Sequence, residues 1–138
     1  MRVFVDTNVV IDFLGKREPF FRDAAIIFEM GRLGRLDLVV SSLTIVNCAC
    51  ILRKQFSSDV TLNKIEDFCQ MLEISPIDRN VILNALSLRP SDFEDAVQYV
   101  SAKSFSPDVF ITRDQTGFNE FSALVMSPAE FIKECKKQ

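Results

Sequence analysis

The chain has 138 residues, close to the commonest size of one domain, and its 48% hydrophobic and 25% charged residues are typical of a folded globular protein. It contains no histidine, which excludes the usual general base, the usual zinc ligand and every Ser-His-Asp or Cys-His triad. Its formal net charge of −3 argues against a protein that binds nucleic acid through electrostatic attraction alone.

Apolar strand-like runs alternate with helical patterns along the whole chain. The predicted strands, in chain order, are 2–5, 36–40, 72–77, 108–112 and 123–126. The predicted helices, in the same order, are 9–14, 19–31, one capped at Ser41 or Ser42 and ending at Lys54, 60–71, 79–88, one from Ser91 or Asp92 to about 103, and one starting at Ser127. This alternation predicts an α/β fold in which a mainly parallel sheet is covered by helices on both faces.

No apolar run approaches the roughly 20 residues that cross a bilayer. Met1 leads directly into a strand-like run, without the charged start and apolar stretch of a signal peptide. We find no repeat and no linker that would divide the chain. We therefore expect a single domain over residues 1–138, located in the cytoplasm, with no membrane partner.

Four aspartates follow predicted strands or open a predicted helix. Asp6 ends the first strand, and Asp114 comes just after the fourth. Asp92 and Asp95 are three residues apart at the start of a helix, so they share one face of it. Each of them alone has a simpler explanation as a helix cap or a turn residue. Because ligand sites in open α/β sheets lie beyond the carboxyl ends of the strands, their joint occurrence favours one functional site.

Carboxylates gathered at one place repel one another, and a divalent cation removes that repulsion. Ligands that are all oxygen atoms suit Mg²⁺ or Mn²⁺. Such an ion lowers the pKa of a bound water and stabilises charge on a phosphoryl oxygen, so a phosphodiester can be hydrolysed without a histidine.

Three segments carry a more specific pattern, namely 3–10 with Asp6-Thr7-Asn8, 92–98, and 111–114 followed by Phe118. They resemble the PIN-domain family of metal-dependent ribonucleases, which includes the VapC-type toxins of bacterial toxin–antitoxin pairs. Residues 125–131 are similar to the closing strand and helix of that family. The resemblance covers almost the whole chain.

The resemblance implies a three-layer α/β/α sandwich around a mainly parallel sheet of about five strands. It implies that Asp6, Asp95 and Asp114 are catalytic and bind one or two Mg²⁺ or Mn²⁺ ions, with Asp92 as an extra or water-mediated ligand. Asn8 is expected to hydrogen-bond within the site, and Thr112 belongs to the motif that carries Asp114. The implied reaction is endonucleolytic cleavage of RNA.

One position departs from the family pattern. Many active members have a glutamate in the helix after the second strand, where this chain has Asn47. An amide can coordinate through its oxygen but carries no charge to balance a cation. Three interpretations follow: a weaker nuclease, a nuclease in which Asp92 or Glu94 compensates, or a fold kept for binding. We prefer compensation.

Two other functions are consistent with parts of the sequence. A haloacid-dehalogenase-like phosphatase also ends its first strand with an aspartate, but it needs an acid where this chain has Asn8. A catalytically weak PIN module that binds RNA or a protein is the more serious alternative. The resemblance implies an antitoxin partner, and the helix from Pro19 to Gly31 offers an apolar surface for such a partner or for a homodimer. Core packing remains the simpler explanation of most phenylalanines in that helix.

Overall fold

A computed structural model describes residues 1–137, so the last residue of the predicted 1–138 domain lies outside the described residues. The strands are β1 (Arg2–Val5), β2 (Asp37–Ser41), β3 (Glu73–Ser75), β4 (Val109–Ile111) and β5 (Val125–Met126). The α-helices are α1 (Thr7–Leu14), α2 (Phe21–Arg32), α3 (Ser42–Leu52), α4 (Ser58–Cys69), α5 (Arg79–Ser87), α6 (Phe93–Ala102) and α7 (Pro128–Lys136). Short 3₁₀ helices span Lys103–Phe105 and Gln115–Phe118. None of the helices in residues 1–137 is long and apolar enough to cross a membrane.

The five strands form one sheet in the order β3-β2-β1-β4-β5, and every neighbouring pair is parallel. The chain builds outward from β1 through β2 to β3 and then returns to the other side of β1 with β4. The strand order therefore reverses between β1 and β4, which is where ligand sites form in open α/β sheets.

Strand β1 contributes side chains to both faces of the sheet. Val3 and Val5 belong to a large apolar cluster with residues of α1, α2, α3, α4 and α7. Phe4, between them, packs in a second cluster with Phe110 and Phe118 on the opposite face. Successive residues of a strand point to opposite faces, so an apolar run such as 3–5 is suited to a sheet covered on both sides. The predicted α/β/α sandwich with a parallel sheet of about five strands is confirmed.

The ends of several elements are set by identifiable side chains. The Asp6 carboxylate accepts a hydrogen bond from the Thr7 N–H, so α1 begins two residues earlier than predicted. Helix α2 begins at Phe21, where we predicted residue 19. The Asp92 side chain accepts from the Asp95 N–H and is the cap of α6 that the sequence left open between Ser91 and Asp92.

Candidate active site

A polar cleft of about 300 Å³ lies at the carboxyl ends of β1 and β4. We call it the acidic cleft, and its lining residues are Asp6, Thr7, Asn8, Ile11, Arg17, Ile51, Asp92, Glu94, Asp95 and Asp114. The structure thus brings the four aspartates together and adds the carboxylate of Glu94. Strand order explains the meeting, because Asp6 leaves β1 and Asp114 follows the adjacent β4.

Asp6 is the most firmly held of these acids. It is 8% exposed, and its Oδ1 accepts hydrogen bonds from the Thr7 N–H at 2.7 Å and from Gln98 Nε2 at 2.9 Å. Its Oδ2 accepts from Thr112 Oγ1 at 2.7 Å and from Asn8 Nδ2 at 3.3 Å. Four donors fix the orientation of this buried carboxyl group. Asp6 is therefore a preorganised side chain at the floor of the cleft.

Asn8 and Thr112 connect the ends of the two strands. Asn8 Nδ2 also donates to Thr112 Oγ1 at 3.3 Å, and Asn8 Oδ1 accepts from the Arg113 N–H at 3.3 Å. The Asp114 N–H donates to Thr112 Oγ1 at 3.1 Å. These contacts bind the segment after β4 to the start of α1.

A buried polar network lies beneath Asp6. Gln98 is fully buried in α6, and its Oε1 accepts from Thr44 Oγ1 at 3.0 Å and from Ser41 Oγ at 3.3 Å. Thr44 Oγ1 also lies 2.8 Å from Thr7 Oγ1. Because an unpaired buried amide is costly, Gln98 is held by these hydroxyls in the orientation that points its N–H group at Asp6.

Asp95 is surrounded by like charges. Burial raises the pKa of Asp95 to about 7, and the negative charges of Asp6, Asp92, Glu94 and Asp114 act in the same direction. The pKa of Glu94 is also raised, first by burial and then by Asp6 and Asp92. The cleft therefore holds more negative charge than its surroundings stabilise.

The turn after β4 approaches Asp95 so closely that a side chain at Gly117 would collide with the Asp95 carboxylate unless that group moved. A methyl group at Gly117 would lie 1.6 Å from Asp95 Oδ2 and 2.7 Å from its Cγ. Asp114 opens this turn, and its Oδ1 accepts from the Thr116 N–H at 3.2 Å and from Thr116 Oγ1 at 2.6 Å. The turn thus places Asp114 at the cleft and leaves space for the Asp95 side chain.

Asn47 is half-buried in α3 and does not line the acidic cleft, whereas Ile51, one helical turn later, does. At the position where the family pattern places a glutamate, this chain therefore contributes no side chain to the cleft. Helix α3 lines the cleft through Ile51 instead. Glu94, one of the two acids that the sequence suggests as compensation for Asn47, does line the cleft.

The donor set fits a divalent cation in its chemistry. All the charged oxygen donors are carboxylates. The pKa of Asp95 is raised first by burial and then by repulsion from the other acids, and a cation would remove that repulsion. As the side chains stand, however, no group of three or more such acids among residues 1–137 could hold one ion. Asp92 and Asp114 instead accept hydrogen bonds from their own turns. The candidates to hold such an ion are the cleft aspartates, namely Asp6, Asp92, Asp95 and Asp114.

Reasoning from sequence alone did not find Gln98, Gly117 or Arg17. Gln98 had a weak signal, since it interrupts the apolar residues Ala96, Val97, Tyr99 and Val100. A polar residue that is buried within such a run requires a hydrogen-bond partner. No sequence signal shows that the side chain facing Gly117 is Asp95.

Comparisons with known proteins agree with this fold. The solved structures that resemble the chain include FitAcB from Neisseria gonorrhoeae, with a TM-score of 0.72, 18% identity and coverage of 92% of this chain and 98% of that one. VapC20 from Mycobacterium tuberculosis, described as a sarcin–ricin loop cleaving toxin, has a TM-score of 0.69, 10% identity and coverage of 88% and 96%. A toxin–antitoxin complex from Klebsiella pneumoniae has a TM-score of 0.68, 20% identity and coverage of 91% and 97%.

At these identities the structural likeness concerns the fold alone. No curated protein sequence matches the chain. A family model does match it, and that model, described as the PIN domain, spans residues 2–116. The matched residues include β1 with Asp6, α6 with Asp95 and β4 with Asp114. The chain therefore belongs to the PIN-domain family.

Proposed function

We propose that the protein is a Mg²⁺- or Mn²⁺-dependent endoribonuclease that acts in the cytoplasm as a single domain. The observation that carries the proposal is the acidic cleft, where a preorganised Asp6 and a strongly perturbed Asp95 lie with three further carboxylates. Perturbed carboxylates in a cleft at the switch point of a parallel sheet are typical of catalytic sites. Family membership supports a nuclease over a haloacid-dehalogenase-like phosphatase.

The residues of the chain have separate tasks in this proposal. When bound, Mg²⁺ or Mn²⁺ supplies a water of lowered pKa and stabilises charge on the phosphoryl oxygens. Asp6, Asp95 and Asp114 hold the ion, and Asp92 or Glu94 compensates for the missing charge at Asn47. Asn8, Thr112 and Gln98 orient the Asp6 carboxylate through their hydrogen bonds.

Cleavage of a mixed RNA pool with Mn²⁺ tests the proposal. We expect the wild-type protein to cleave, and Asp6→Asn and Asp95→Asn to reduce the rate about 100-fold or more, because each removes a charged ligand. Asp67→Asn, an exposed acid of α4, is the matched control for loss of one carboxylate. Cleavage that persists in both cleft variants, or that never appears at any Mn²⁺ concentration, would overturn the proposal.

A catalytically weak module that binds RNA is the second candidate. The observation in its favour is that no three acids among residues 1–137 are positioned to share an ion. Binding of RNA without Mn²⁺-dependent cleavage is the result that would favour this candidate over the nuclease.

We also propose a protein partner of the antitoxin type. Several of the similar structures are toxin–antitoxin complexes, including the one from Klebsiella pneumoniae. A cleft of about 510 Å³ runs along α2, and its wall includes Phe21, Ile26, Met30 and Leu33. This is the helix whose sequence predicts an apolar surface, and the same surface is available to a second copy of the chain.

A small reading frame beside the gene is expected, and its product should co-purify with the protein. A gene with no such neighbour would argue against this partner.

A further inference from the structure

Arg17 has an unusual position at the rim of the acidic cleft. Of the ten residues that line the described cleft, five are acidic and Arg17 alone is basic. Its side chain is exposed, and among residues 1–137 its guanidinium forms no ion pair with those acids or with any other. An arginine that served to neutralise the carboxylates would be expected to pair with one of them.

The backbone holds Arg17 in place even though its side chain is free. The Arg17 N–H donates to the Asp12 carbonyl oxygen at 3.0 Å, and the Arg17 carbonyl oxygen accepts from the Phe20 N–H at 3.0 Å. Asp12 is itself buried and paired with Arg113. The loop after α1 therefore presents the guanidinium from a fixed point beside the cleft.

An RNA substrate requires a positive group beside the acidic cleft. An RNA strand that enters it brings one negative charge per phosphate next to five carboxylates, and bound cations offset part of that repulsion only at the reacting phosphate. The phosphates on either side need a positive group at the rim. A guanidinium has planar, paired donors that match phosphate oxygens, so it suits that task better than an ammonium group.

We propose that Arg17 binds a backbone phosphate of the RNA next to the bond that is cleaved. The inference rests on the proposed function. It extends that function because it assigns a residue that contacts the RNA in the acidic cleft, where the other charged lining residues are all acidic. In this proposal Arg17 is a substrate-binding residue, since a guanidinium has no acceptor with which to hold a cation.

The test compares Arg17→Gln with Arg22→Gln, which removes the same charge from an exposed residue of α2 outside the acidic cleft. Binding of a fluorescein-labelled single-stranded 12-nucleotide RNA is measured by anisotropy at several salt concentrations, with both variants made in an Asp95→Asn background. We expect Arg17→Gln to raise the dissociation constant about tenfold at low salt, as expected for loss of a charge-assisted hydrogen bond. The slope of log K against log salt should fall by about 0.7, the contribution of one phosphate contact in a single strand.

Steady-state cleavage in the wild-type background gives a second measurement. Arg17→Gln should raise KM for RNA, leave the Mn²⁺ concentration for half-maximal rate unchanged, and be partly rescued by Arg17→Lys. Equal effects of Arg17→Gln and Arg22→Gln on RNA affinity would overturn the inference while leaving the nuclease intact. A change in Mn²⁺ requirement without a change in RNA affinity would also overturn it, since Arg17 would then act only on the charge of the site. RNA binding that depends on Arg17 in a protein that cleaves nothing would sustain the contact between Arg17 and an RNA phosphate, and would overturn the nuclease.

Discussion

Asp95 carries a charge that the surrounding fold disfavours. Its pKa is raised to about 7 from an ordinary value of 3.8, first by burial and then by Asp6 and the other cleft acids. In a protein without bound metal, folding therefore brings Asp95 into an environment that favours its protonated form. The cost of ionising it is a property of the native state, and it disappears when the chain unfolds.

This cost predicts how stability depends on pH in metal-free protein. Because the folded-state pKa lies above the unfolded-state value, the stability contribution is fully present below about pH 3.8 and is lost as the pH rises to about 7. Relative to wild type, Asp95→Asn should therefore gain stability across that interval, by about 1–2 kcal/mol at pH 7 after allowance for solvent screening of this half-buried group. Urea unfolding in EDTA from pH 4 to pH 8 measures the difference.

Mn²⁺ provides the complementary measurement. At pH 7.5 it should raise the stability of wild type and have little effect on Asp95→Asn, because binding to the native state alone stabilises it. The exposed Asp67→Asn variant reports the general effect of removing one carboxylate. A stability difference between wild type and Asp95→Asn that stays constant with pH would contradict the account of Asp95.

At the level of single residues, the sequence predicted the positions of the cleft acids better than the positions of the residues that hydrogen-bond to them. Asp6 and Asp114 could be placed because each follows a strand-like run, and the end of a strand has a known place in a parallel sheet. Gln98 could not be placed, since its partners Ser41 and Thr44 lie more than 50 positions away in the chain. Only the docking of α6 against β2 brings them together.

At the level of elements, α1 and the segment after β4 behave as one unit. Arg113 donates to both oxygens of Asp12 in α1, at 2.6 and 3.3 Å, and its guanidinium lies 3.9 Å above the Phe20 ring. Asp12 is 1% exposed and the Arg113 side chain 30%. Since Arg113 precedes Asp114 in the chain, this ion pair sets the position of the turn that carries a cleft acid.

The ion pair predicts a non-additive mutant cycle. Arg113→Gln leaves the Asp12 charge buried and unpaired, and we expect it to lower the free energy of unfolding by about 3 kcal/mol. Adding Asp12→Asn should recover much of that loss, because the double variant buries no isolated charge. Chemical denaturation of the three variants measures the effect.

The exposed pair Arg32 and Glu29 in α2 supplies the control. Arg32→Gln should lower the free energy of unfolding much less than Arg113→Gln does, because both side chains of the pair are largely in solvent. Equal losses of the free energy of unfolding for Arg113→Gln and Arg32→Gln, or additive effects in the cycle, would contradict this account. Either result would show that the ion pair with Arg113 does not stabilise the buried Asp12 charge.

The boundaries of the elements were the less predictable part at this level. Strand β3 spans only Glu73–Ser75, where the apolar run suggested 72–77, and Pro76 explains the early end because it has no N–H for the sheet. Helix α1 begins early because the Asp6 side chain caps it, and the same side chain also lines the acidic cleft. A residue with two functions cannot be assigned to only one of them from its type.

At the level of the whole molecule, the alternation of strands and helices was sufficient to predict a covered parallel sheet. The strand order was not predictable in the same way, because the pattern does not say on which side of β1 the later strands are added. The observed order places β4 beside β1 and so decides that the acids after these two strands meet. The site is thus a product of topology as much as of residue type.

The close approach of Gly117 to Asp95 has a consequence for how the sequence can vary. A side chain of any size at 117 competes for the volume that the carboxylate occupies, so the identity of one residue restricts the other. An alanine at 117 is compatible with a shorter residue at 95 or with a turn that follows a different path, and each alternative moves or removes an acid of the cleft. Positions 95 and 117 are therefore expected to covary among relatives, although 21 residues separate them and neither resembles the other in chemistry.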